Sequence, residues 1–378
     1  IILKAAADGA SDIHVEPGDH DVRVRYRIDG VLHEVMRTSR KLLAGVVSRL
    51  KIMADIDIAE RRRPQDGRIS VRTPTGNLDL RVSTLPTIYG EKVVMRILDN
   101  RTAMLDLAEL GFHPGNLARY EESFTKPYGT ILVCGPTGSG KSTTLYATLN
   151  VLNDAGRNII TVEDPVEYRL AGVNQVQVNK KAGLTFANAL RSFLRQDPDI
   201  MLIGEIRDLE TANIAIESAL TGHLVLSTLH TNTAPAAVSR LIEMGVEPFL
   251  VGSAVDAVLA QRLARRLCEK CKEPHDAPRE VLERVGWDPA FVDPDGTATL
   301  FQPKGCSACA GTGYRGRLAV HELMVLGEEI ERMVVEHATT EALTRVATDQ
   351  GMVSLRLDGL RKAAAGQTSL EEVLRVTV

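Results

Sequence analysis

Alternating apolar and polar residues near the start of the chain predict β-strands. One face of the run at 22–28 carries Val22, Val24, Tyr26 and Ile28, and the other face carries three arginines. A period of two is typical of a half-buried strand, and the following Asp29-Gly30 pair predicts a tight turn into a second strand. The same reasoning predicts strands at 67–73, 77–85 and 91–98 and, from helical spacing, a helix at 40–53. Residues 1–100 therefore form one small α+β domain in this interpretation.

The segment SDIHVE places three polar side chains on one face of an earlier strand. These are Asp12, His14 and Glu16, which alternate with apolar residues. They could ligate a metal ion, but a solvated or ion-paired strand face is the commoner arrangement. Both interpretations stay open at this point.

Helical spacing returns at the C-terminal end of the chain. From about residue 322, four segments carry apolar stripes, at 322–337, 340–351, 354–366 and 369–376. Stripes of this kind are typical of helices that cover a core. We therefore expect a helical cap.

A glycine-rich segment carries the strongest chemical signal. A short apolar strand at 130–134 leads into GPTGSGKS, which fits the pattern G-x-x-x-x-G-K-[ST] and is followed by helical spacing. Its glycines let backbone N–H groups turn toward phosphate oxygens, and the helix that follows adds its dipole. We predict that Lys141 reaches the β- and γ-phosphates and that Ser142 holds Mg²⁺. The predicted nucleotide-binding residues are Gly135, Pro136, Thr137, Gly138, Ser139, Gly140, Lys141, Ser142 and Thr143.

Two further apolar strands end in acidic residues. The run at 158–162 leads into Glu163 and Asp164, and the run at 200–203 leads into Glu205. An acid at the end of a second buried strand can bind Mg²⁺ or orient water for hydrolysis of a nucleotide. We predict catalytic roles for Glu163 and Glu205, the alternative being acids that are simply solvated.

Four of the five cysteines form two C-x-x-C pairs. Cys268 and Cys271 form the first pair, and Cys306 and Cys309 form the second. Four thiolates around Zn²⁺ make a closed structural site with no open ligand position, so we predict a structural zinc without a catalytic role. Two independent dithiols are the alternative, because the intervening segment at 272–305 is longer than a zinc ribbon usually has.

Composition and charge disfavour some classes of function. The chain is 44% apolar and 25% charged with a net charge of −4, which argues against a dedicated nucleic-acid binder. No apolar run approaches the roughly 18 residues of a membrane span. We expect a cytoplasmic protein without membrane insertion or direct nucleic-acid binding. Because residue 1 is Ile1 and not Met, we also expect further sequence upstream.

Six segments resemble the secretion and pilus-assembly ATPases, the motors of type II secretion and type IV pili. They are SDIHVEP, RRRPQDGRI, GPTGSGKST, TVEDPVEY, RSFLRQDPDIMLIGEIRD and TGHLVLSTLHTN, and the resemblance covers nearly the whole chain. It implies an α/β protein with a PAS-like α+β domain at 1–100, a linker at 101–112 and a RecA-like P-loop core at 113–378. Within that core we expect a zinc subdomain at 262–320 and the helical cap at 322–378.

The resemblance also implies roles for two histidines. The Asp box, Walker B and His box of the family fall on Glu163–Asp164, on Glu205 and on 223–230. The strand at 224–229 would then lie beside the phosphate-loop strand, with His230 near the γ-phosphate. His223 would support a contact between domains. The alternative is that both histidines are purely structural.

Arginines supplied by a neighbouring subunit are a further implication. The family pattern matches at Arg81 and Arg96, which we expect to act on the γ-phosphate in trans, and more weakly at Arg68. Salt bridges at strand edges are the alternative. Arg191 and Arg195 share a helix face and would support the nucleotide or the subunit contact.

The implied function is a hexameric motor that hydrolyses ATP with Mg²⁺ and powers type IV pilus assembly. It would act on an inner-membrane platform protein at the inner face of the cytoplasmic membrane. A type II secretion motor is the alternative. A nucleic-acid translocase of the same fold has support only from the arginine-rich strand at 23–27, and 4% aromatic residues offer few stacking platforms. A non-hydrolysing scaffold is disfavoured because the catalytic set is intact.

Overall fold

The computed structural model describes residues 1–73, 76–98, 105–287 and 298–377. The chain divides into two compact units, Ile1–Arg101 and Thr102–Val378. Each unit is built on a large sheet of its own. No helix within the described ranges is both long and apolar enough to cross a lipid bilayer.

The first unit is a six-stranded sheet in the order β3-β2-β1-β6-β5-β4, and every neighbouring pair is antiparallel. Its elements are α1 (Ile2–Ala7), β1 (Ala10–Pro17), β2 (Asp21–Ile28), β3 (Val31–Ser39), α2 (Leu43–Met53), β4 (Gln65–Thr73), β5 (Gly76–Thr87) and β6 (Gly90–Leu98).

The alternation read in the sequence sets which side of this sheet is buried. The core contains Ile13, Val15, Val24, Val82 and Met95 from the strands and Val47 and Leu50 from α2. The predicted turn is present, because Asp29 and Gly30 have φ values of 48° and 86°, the left-handed pair that a two-residue hairpin turn requires. The predicted helix begins later than expected, since residues 40–42 form a 3₁₀ turn. The likeness to a PAS domain stays a prediction.

The second unit is built on a seven-stranded sheet in the order β15-β12-β7-β11-β10-β8-β9. All neighbouring pairs are parallel except β12 with β15. Its first elements are α3 (Pro114–Phe124), β7 (Gly129–Cys134), α4 (Lys141–Leu152), β8 (Ile159–Glu163), β9 (Asn174–Gln177), α5 (Phe186–Phe193), β10 (Ile200–Ile203), α6 (Leu209–Leu220), β11 (Leu224–Leu229), α7 (Ala234–Glu243) and α8 (Pro248–Ala254). The remaining elements are β12 (Val255–Leu267), β13 (Lys272–Ala277), α9 (Arg279–Val285), β14 (Ala298–Pro303), β15 (Tyr314–Val325), α10 (Glu328–Val335), α11 (Thr340–Asp349), α12 (Leu355–Ala364) and α13 (Leu370–Val376).

Helices cover both faces of this sheet, so its central strands β7, β8, β10 and β11 are buried along their whole length and are mostly apolar. In β7, Leu132 and Cys134 join a core with residues of α5 to α8, whereas Ile131 and Val133 face a second core with residues of α3 and α4. The strand β11 lies directly between β7 and β10, as the resemblance implied.

Three boundaries differ from the sequence prediction. Residues 322–325 complete the strand β15, because this apolar run pairs with β12, and the helices of the cap begin only at Glu328. The first residues of the predicted zinc subdomain, 262–267, belong to the strand β12, and its last residues, 314–320, belong to β15. The segment inserted between these two strands is therefore 268–313. Within the predicted linker, residues 107–110 form a 3₁₀ turn whose leucines are buried in the core.

Candidate nucleotide site and cysteine cluster

The phosphate loop spans residues 135–140, between the end of β7 and the start of α4. Its three glycines all have positive φ, at 148° for Gly135, 81° for Gly138 and 90° for Gly140. Side chains rarely adopt this backbone region, so the residue type is required by the path of the loop. A Cβ added to Gly138 would meet no other atom of the described residues within 4 Å, so the space beside the loop is open there. The loop therefore has a backbone that can cradle phosphate oxygens.

Lys141 lies over this loop. Its Nζ donates to the carbonyl oxygens of Gly135 at 2.8 Å and Pro136 at 3.1 Å. Burial lowers the pKa of this ammonium, and the nearby charge of Glu205 partly offsets the effect. The lysine is therefore a cation held at the loop by groups that phosphate oxygens can replace.

Glu205, Arg207 and His230 meet at the carboxyl edge of the sheet. The neighbouring parallel strands β10 and β11 end at Ile203 and Leu229, which brings the residues after them together. The Glu205 carboxylate lies 2.6 Å from Nε of Arg207 and 3.5 Å from Nε2 of His230. Of the sequence predictions, Lys141, Glu205 and His230 are therefore brought to one region, and Arg207 is an addition.

Glu163 belongs to a separate group of side chains. It is buried at the end of β8 and accepts hydrogen bonds from the Tyr146 hydroxyl, from Thr161 at 2.7 Å and from Gln175 at 3.3 Å. Burial raises its pKa, and these hydrogen bonds act in the opposite direction. Asp164, the next residue, lies 3.8 Å from Lys180.

Gln261 is a site residue that sequence reasoning missed. The strand β12 runs beside β7 with Ala260 opposite Cys134, so Gln261 extends just beyond the end of β7. Its amide donates to the Ser139 carbonyl at 2.9 Å and accepts from the Thr144 hydroxyl at 2.7 Å. The available signal was a polar residue that directly follows the short apolar run at 257–260.

Arg262, the next residue along β12, holds the segment that follows His230. Its guanidinium donates to the carbonyl oxygen of Asn232 at 3.2 Å and to the side-chain oxygen of Asn232 at 3.0 Å. Burial lowers the pKa of Arg262. Two successive residues of β12, Gln261 and Arg262, thus contact the phosphate loop and the segment that follows His230.

His223 has a local structural role in the second unit. Its Nδ1 lies 2.9 Å from the carbonyl oxygen of Ser218, and its own carbonyl accepts from the backbone N–H of Gly129. These contacts fix the loop between α6 and β11. They agree with the structural interpretation of this histidine.

The four cysteines of the C-x-x-C pairs form one cluster. The Sγ atoms are 3.9 Å apart between Cys268 and Cys306, 3.8 Å between Cys271 and Cys309, and 3.7 Å between Cys306 and Cys309. Tetrahedral Zn²⁺ with Zn–S bonds of about 2.3 Å requires sulfur separations of about 3.8 Å. Within the described ranges, this is the one group of three or more potential ligands that lies close enough to hold a metal ion. The arrangement is compatible with zinc and argues against two independent dithiols.

Comparison with known proteins identifies the family. Residues 1–375 match the model of the type II/IV secretion system protein family. The chain belongs to this family.

Named relatives come from both branches of this secretion family. The type IV pilus assembly ATPase PilB of Myxococcus xanthus is 54% identical over 377 residues, and the type II secretion system protein E of Pseudomonas aeruginosa is 51% identical over 377 residues. PilB of Thermus thermophilus is 50% identical over 378 residues. These matches cover 99–100% of the chain but only 66%, 74% and 42% of the respective relatives.

Solved structures support the fold. The ATPase DotB of Legionella pneumophila has a TM-score of 0.72 at 21% identity, covering 99% of this chain and 93% of that chain. The pilus retraction motor PilT with bound ADP has a TM-score of 0.65 at 25% identity, covering 99% and 95%. Both units therefore lie within the part of the chain that is similar to solved secretion ATPases.

The arginines predicted from the family pattern form a cross-strand row in the first unit. Arg68, Arg81 and Arg96 are direct register partners on β4, β5 and β6. Arg96 also lies opposite Asp12 and donates from Nε to its carboxylate at 2.9 Å. The salt-bridge interpretation therefore applies to Arg96, whose side chain is nevertheless 60% exposed. A role of this row at a nucleotide stays a prediction.

Two further polar residues singled out in the sequence, Glu16 and Arg191, are also ion-paired. Although burial opposes its ionisation, hydrogen bonds from Arg25 and Lys92 hold the pKa of Glu16 at about 2. Arg191 donates to Glu210 of α6, so it binds within the second unit. The ion-paired interpretation of the strand face at 12–16 is favoured over a metal site.

Proposed function

We propose that the chain is the catalytic part of a motor ATPase that drives type IV pilus assembly or type II secretion. One observation carries the proposal, namely the convergence of Lys141, Glu205 and His230 at the carboxyl edge of a parallel sheet. Parallel α/β sheets bind ligands at this edge. The names of the relatives support both branches, and pilus assembly is the version we put first.

The residues of the site suggest a division of labour. The phosphate loop binds the β- and γ-phosphates of ATP, and Lys141 exchanges its carbonyl partners for phosphate oxygens. Ser142 would hold Mg²⁺, which supplies positive charge against the phosphates. Glu205 orients the attacking water, and His230, whose Nε2 lies 3.5 Å from the Glu205 carboxylate, responds when the γ-phosphate leaves.

The wider setting follows the family resemblance. We propose a homohexamer that works against a platform protein of the inner membrane, with no direct contact to nucleic acid. We also propose that Cys268, Cys271, Cys306 and Cys309 hold a structural Zn²⁺. Restoring either piliation or secretion in cells that lack the corresponding resident ATPase would decide between the two branches.

Steady-state ATP hydrolysis tests the core of the proposal. Lys141→Ala should abolish turnover and weaken ATP binding, because the phosphates lose the fixed cation of the loop. Glu205→Gln should keep ATP binding and lose turnover, because a neutral amide cannot orient and polarise the attacking water as the carboxylate does. Lys181→Ala, at an exposed lysine of the same unit, is the matched control and should hydrolyse ATP normally. A wild-type protein that neither binds nor hydrolyses ATP would rule the proposal out.

A further inference from the structure

Gln261 makes two buried hydrogen bonds that enclose the start of helix α4. Its side chain is 2% exposed. The amide nitrogen bonds the Ser139 carbonyl in the loop, and the amide oxygen bonds the Thr144 hydroxyl in the first turn of the helix. The residues between these two contacts are 140–143, which include Lys141 and Ser142. One amide therefore fixes both ends of the segment predicted to contact phosphates and Mg²⁺.

The loop and the strand β12 fit each other closely at this point. A Cβ on Gly140 would lie 2.7 Å from the side-chain nitrogen of Gln261, and a Cβ on Gly135 would lie 2.5 Å from the backbone carbonyl oxygen of Gln261. Glycine is thus needed at both positions because of the approach of β12 as well as the positive φ. This proximity makes the position of the loop depend on residue 261.

We propose that Gln261 is a positioning residue that holds the phosphate loop in its nucleotide-binding arrangement. The inference rests on the proposed function, since it assigns the loop to ATP. Loss of this buried amide leaves the Ser139 carbonyl and the Thr144 hydroxyl without their Gln261 partner, which is unfavourable for buried polar groups. The effect on ATP comes from where those partners lie, at the two ends of the loop–helix junction.

Gln261→Met tests this role because methionine has nearly the same length and makes neither hydrogen bond. We expect the Kd for ATP and the KM to rise about tenfold, because the loop–helix junction loses the two hydrogen bonds that hold it. The kcat at saturating ATP should change much less, because Glu205 and His230 are untouched. Measurements are equilibrium titration with ATP, steady-state kinetics and thermal unfolding of each variant.

Tyr120→Phe is the matched control. The Tyr120 hydroxyl makes an equally buried hydrogen bond of 2.9 Å to Thr148, one turn further along the same helix. Its loss should lower the unfolding temperature and leave the Kd for ATP unchanged. A fall in ATP affinity in both variants to the same extent would reduce Gln261 to a general contributor to stability and overturn the inference.

Thr144 provides a second test that does not depend on the folding of the Gln261 variant. Thr144→Val should weaken ATP binding, whereas Thr144→Ser should bind ATP like the wild type. Serine keeps the hydroxyl that donates to the side-chain oxygen of Gln261. The double variant Gln261→Met/Thr144→Val should bind ATP no more weakly than Gln261→Met alone, since both remove the same contact. Wild-type affinity in Gln261→Met and Thr144→Val would overturn this inference alone, whereas a wild-type protein without ATP binding would overturn the proposed function as well.

Discussion

Glu163 and Glu205 end neighbouring strands of one sheet and have different surroundings. Glu205 lies beside Arg207 and His230, whereas Glu163 is enclosed by hydroxyl and amide donors in a buried position. Burial raises the pKa of Glu163, and the hydrogen bond from Tyr146 is the first factor that lowers it again. Acidic pairs with such unequal environments commonly divide the tasks of a site. The Tyr146 hydroxyl therefore favours the ionised form of Glu163 against the effect of burial.

Tyr146→Phe should move the acid limb of the pH–rate profile to higher pH. The phenol hydrogen bond lowers the pKa of Glu163, so its removal raises that pKa and reduces the ionised fraction at a given pH. We expect kcat/KM to fall most below neutral pH and to recover as the pH rises. The measurement is kcat/KM across the acid range, with Tyr120→Phe as the control for loss of a buried tyrosine hydroxyl. An unchanged acid limb would mean that the ionisation of Glu163 does not limit turnover.

Sequence motifs can be recognised directly, whereas contacts between residues of neighbouring strands cannot. The phosphate loop was predictable because its glycines and lysine have fixed spacing, and His230 because the segment around it resembles the His box of the family. Gln261 belongs to no motif, and its role depends on β12 lying next to β7, a neighbour distant in sequence. Hydrogen-bond partners across a sheet are set by strand order, which the local pattern does not contain.

At the scale of elements, strands that are buried on one face were easier to predict from the sequence than strands that are buried on both faces. The strands of the first unit have one polar face, and their alternation located them to within a few residues. The strand β15 is buried along most of its length, so residues 318–325 show no alternation, and its end was assigned to a helix. Buried strands and buried helices have similar apolar runs, and only the pairing partner distinguishes them.

The cysteine cluster should hold about one Zn²⁺ per chain, as four thiolates at tetrahedral spacing require. Cys306→Ser should lower the zinc content and loosen the inserted segment 268–313, because the ion joins its two ends. ATP affinity should persist, since the phosphate loop uses none of these residues. Elemental analysis and amide hydrogen exchange measure the two effects, and Cys134→Ala, outside the cluster, is the control. Full stability in protein without zinc would contradict the prediction.

The last helix is attached to the sheet by a buried carboxylate, and this attachment should depend on pH. Glu372 is fully buried and bonds the backbone N–H of Arg265 at 2.9 Å, its guanidinium at 2.8 Å, and Arg375. Although burial opposes ionisation, these hydrogen bonds lower the pKa of Glu372 from 4.5 to about 2. A pKa below the unfolded value adds stability above about pH 4.5 that disappears as the pH falls toward 2.

Glu372→Gln should therefore be less stable than the wild type at pH 7, and the difference should shrink as the pH is lowered from 4.5 toward 2. The neutral amide of glutamine cannot make the charge-assisted hydrogen bonds that the Glu372 carboxylate makes with Arg265 and Arg375 at neutral pH. Urea unfolding at several pH values measures the free energy of unfolding of both proteins. Glu371→Gln, at the exposed neighbouring position, is the control and should show no such trend. A pH-independent difference would assign the stabilisation to packing instead of charge.

At the scale of the whole molecule, the arginine row and the phosphate loop lie in different compact units. The row of Arg68, Arg81 and Arg96 crosses three adjacent strands of the first unit, which places three cations in one line. Sequence motifs identified Arg81 and Arg96 as candidates. Neither a motif nor the periodicity of the sequence shows how subunits assemble. The expectation that these residues act in trans therefore needs its own experiment.

Arg81→Ala and Arg96→Ala should each lower kcat at least tenfold, a loss of about 1.4 kcal/mol or more in transition-state stabilisation. ATP affinity should change less, because the phosphate charge that these arginines meet grows in the transition state. Arg37→Ala, at an exposed arginine of β3 that pairs with Glu34, is the control and should keep normal kcat. Steady-state kinetics with ATP binding measured separately give both quantities.

Mixed assemblies then separate action in trans from action in cis. Lys141→Ala is expected to be inactive alone because its phosphate loop is defective, and Arg96→Ala is expected to be strongly impaired because it lacks the arginine. In an assembly of both, the intact loop of an Arg96→Ala subunit can face the intact arginine of a Lys141→Ala subunit, so some activity should return. Mass measurement must show that mixed assemblies have formed. Mixed assemblies with no recovered activity would mean that Arg96 acts within its own chain or only maintains the sheet through Asp12.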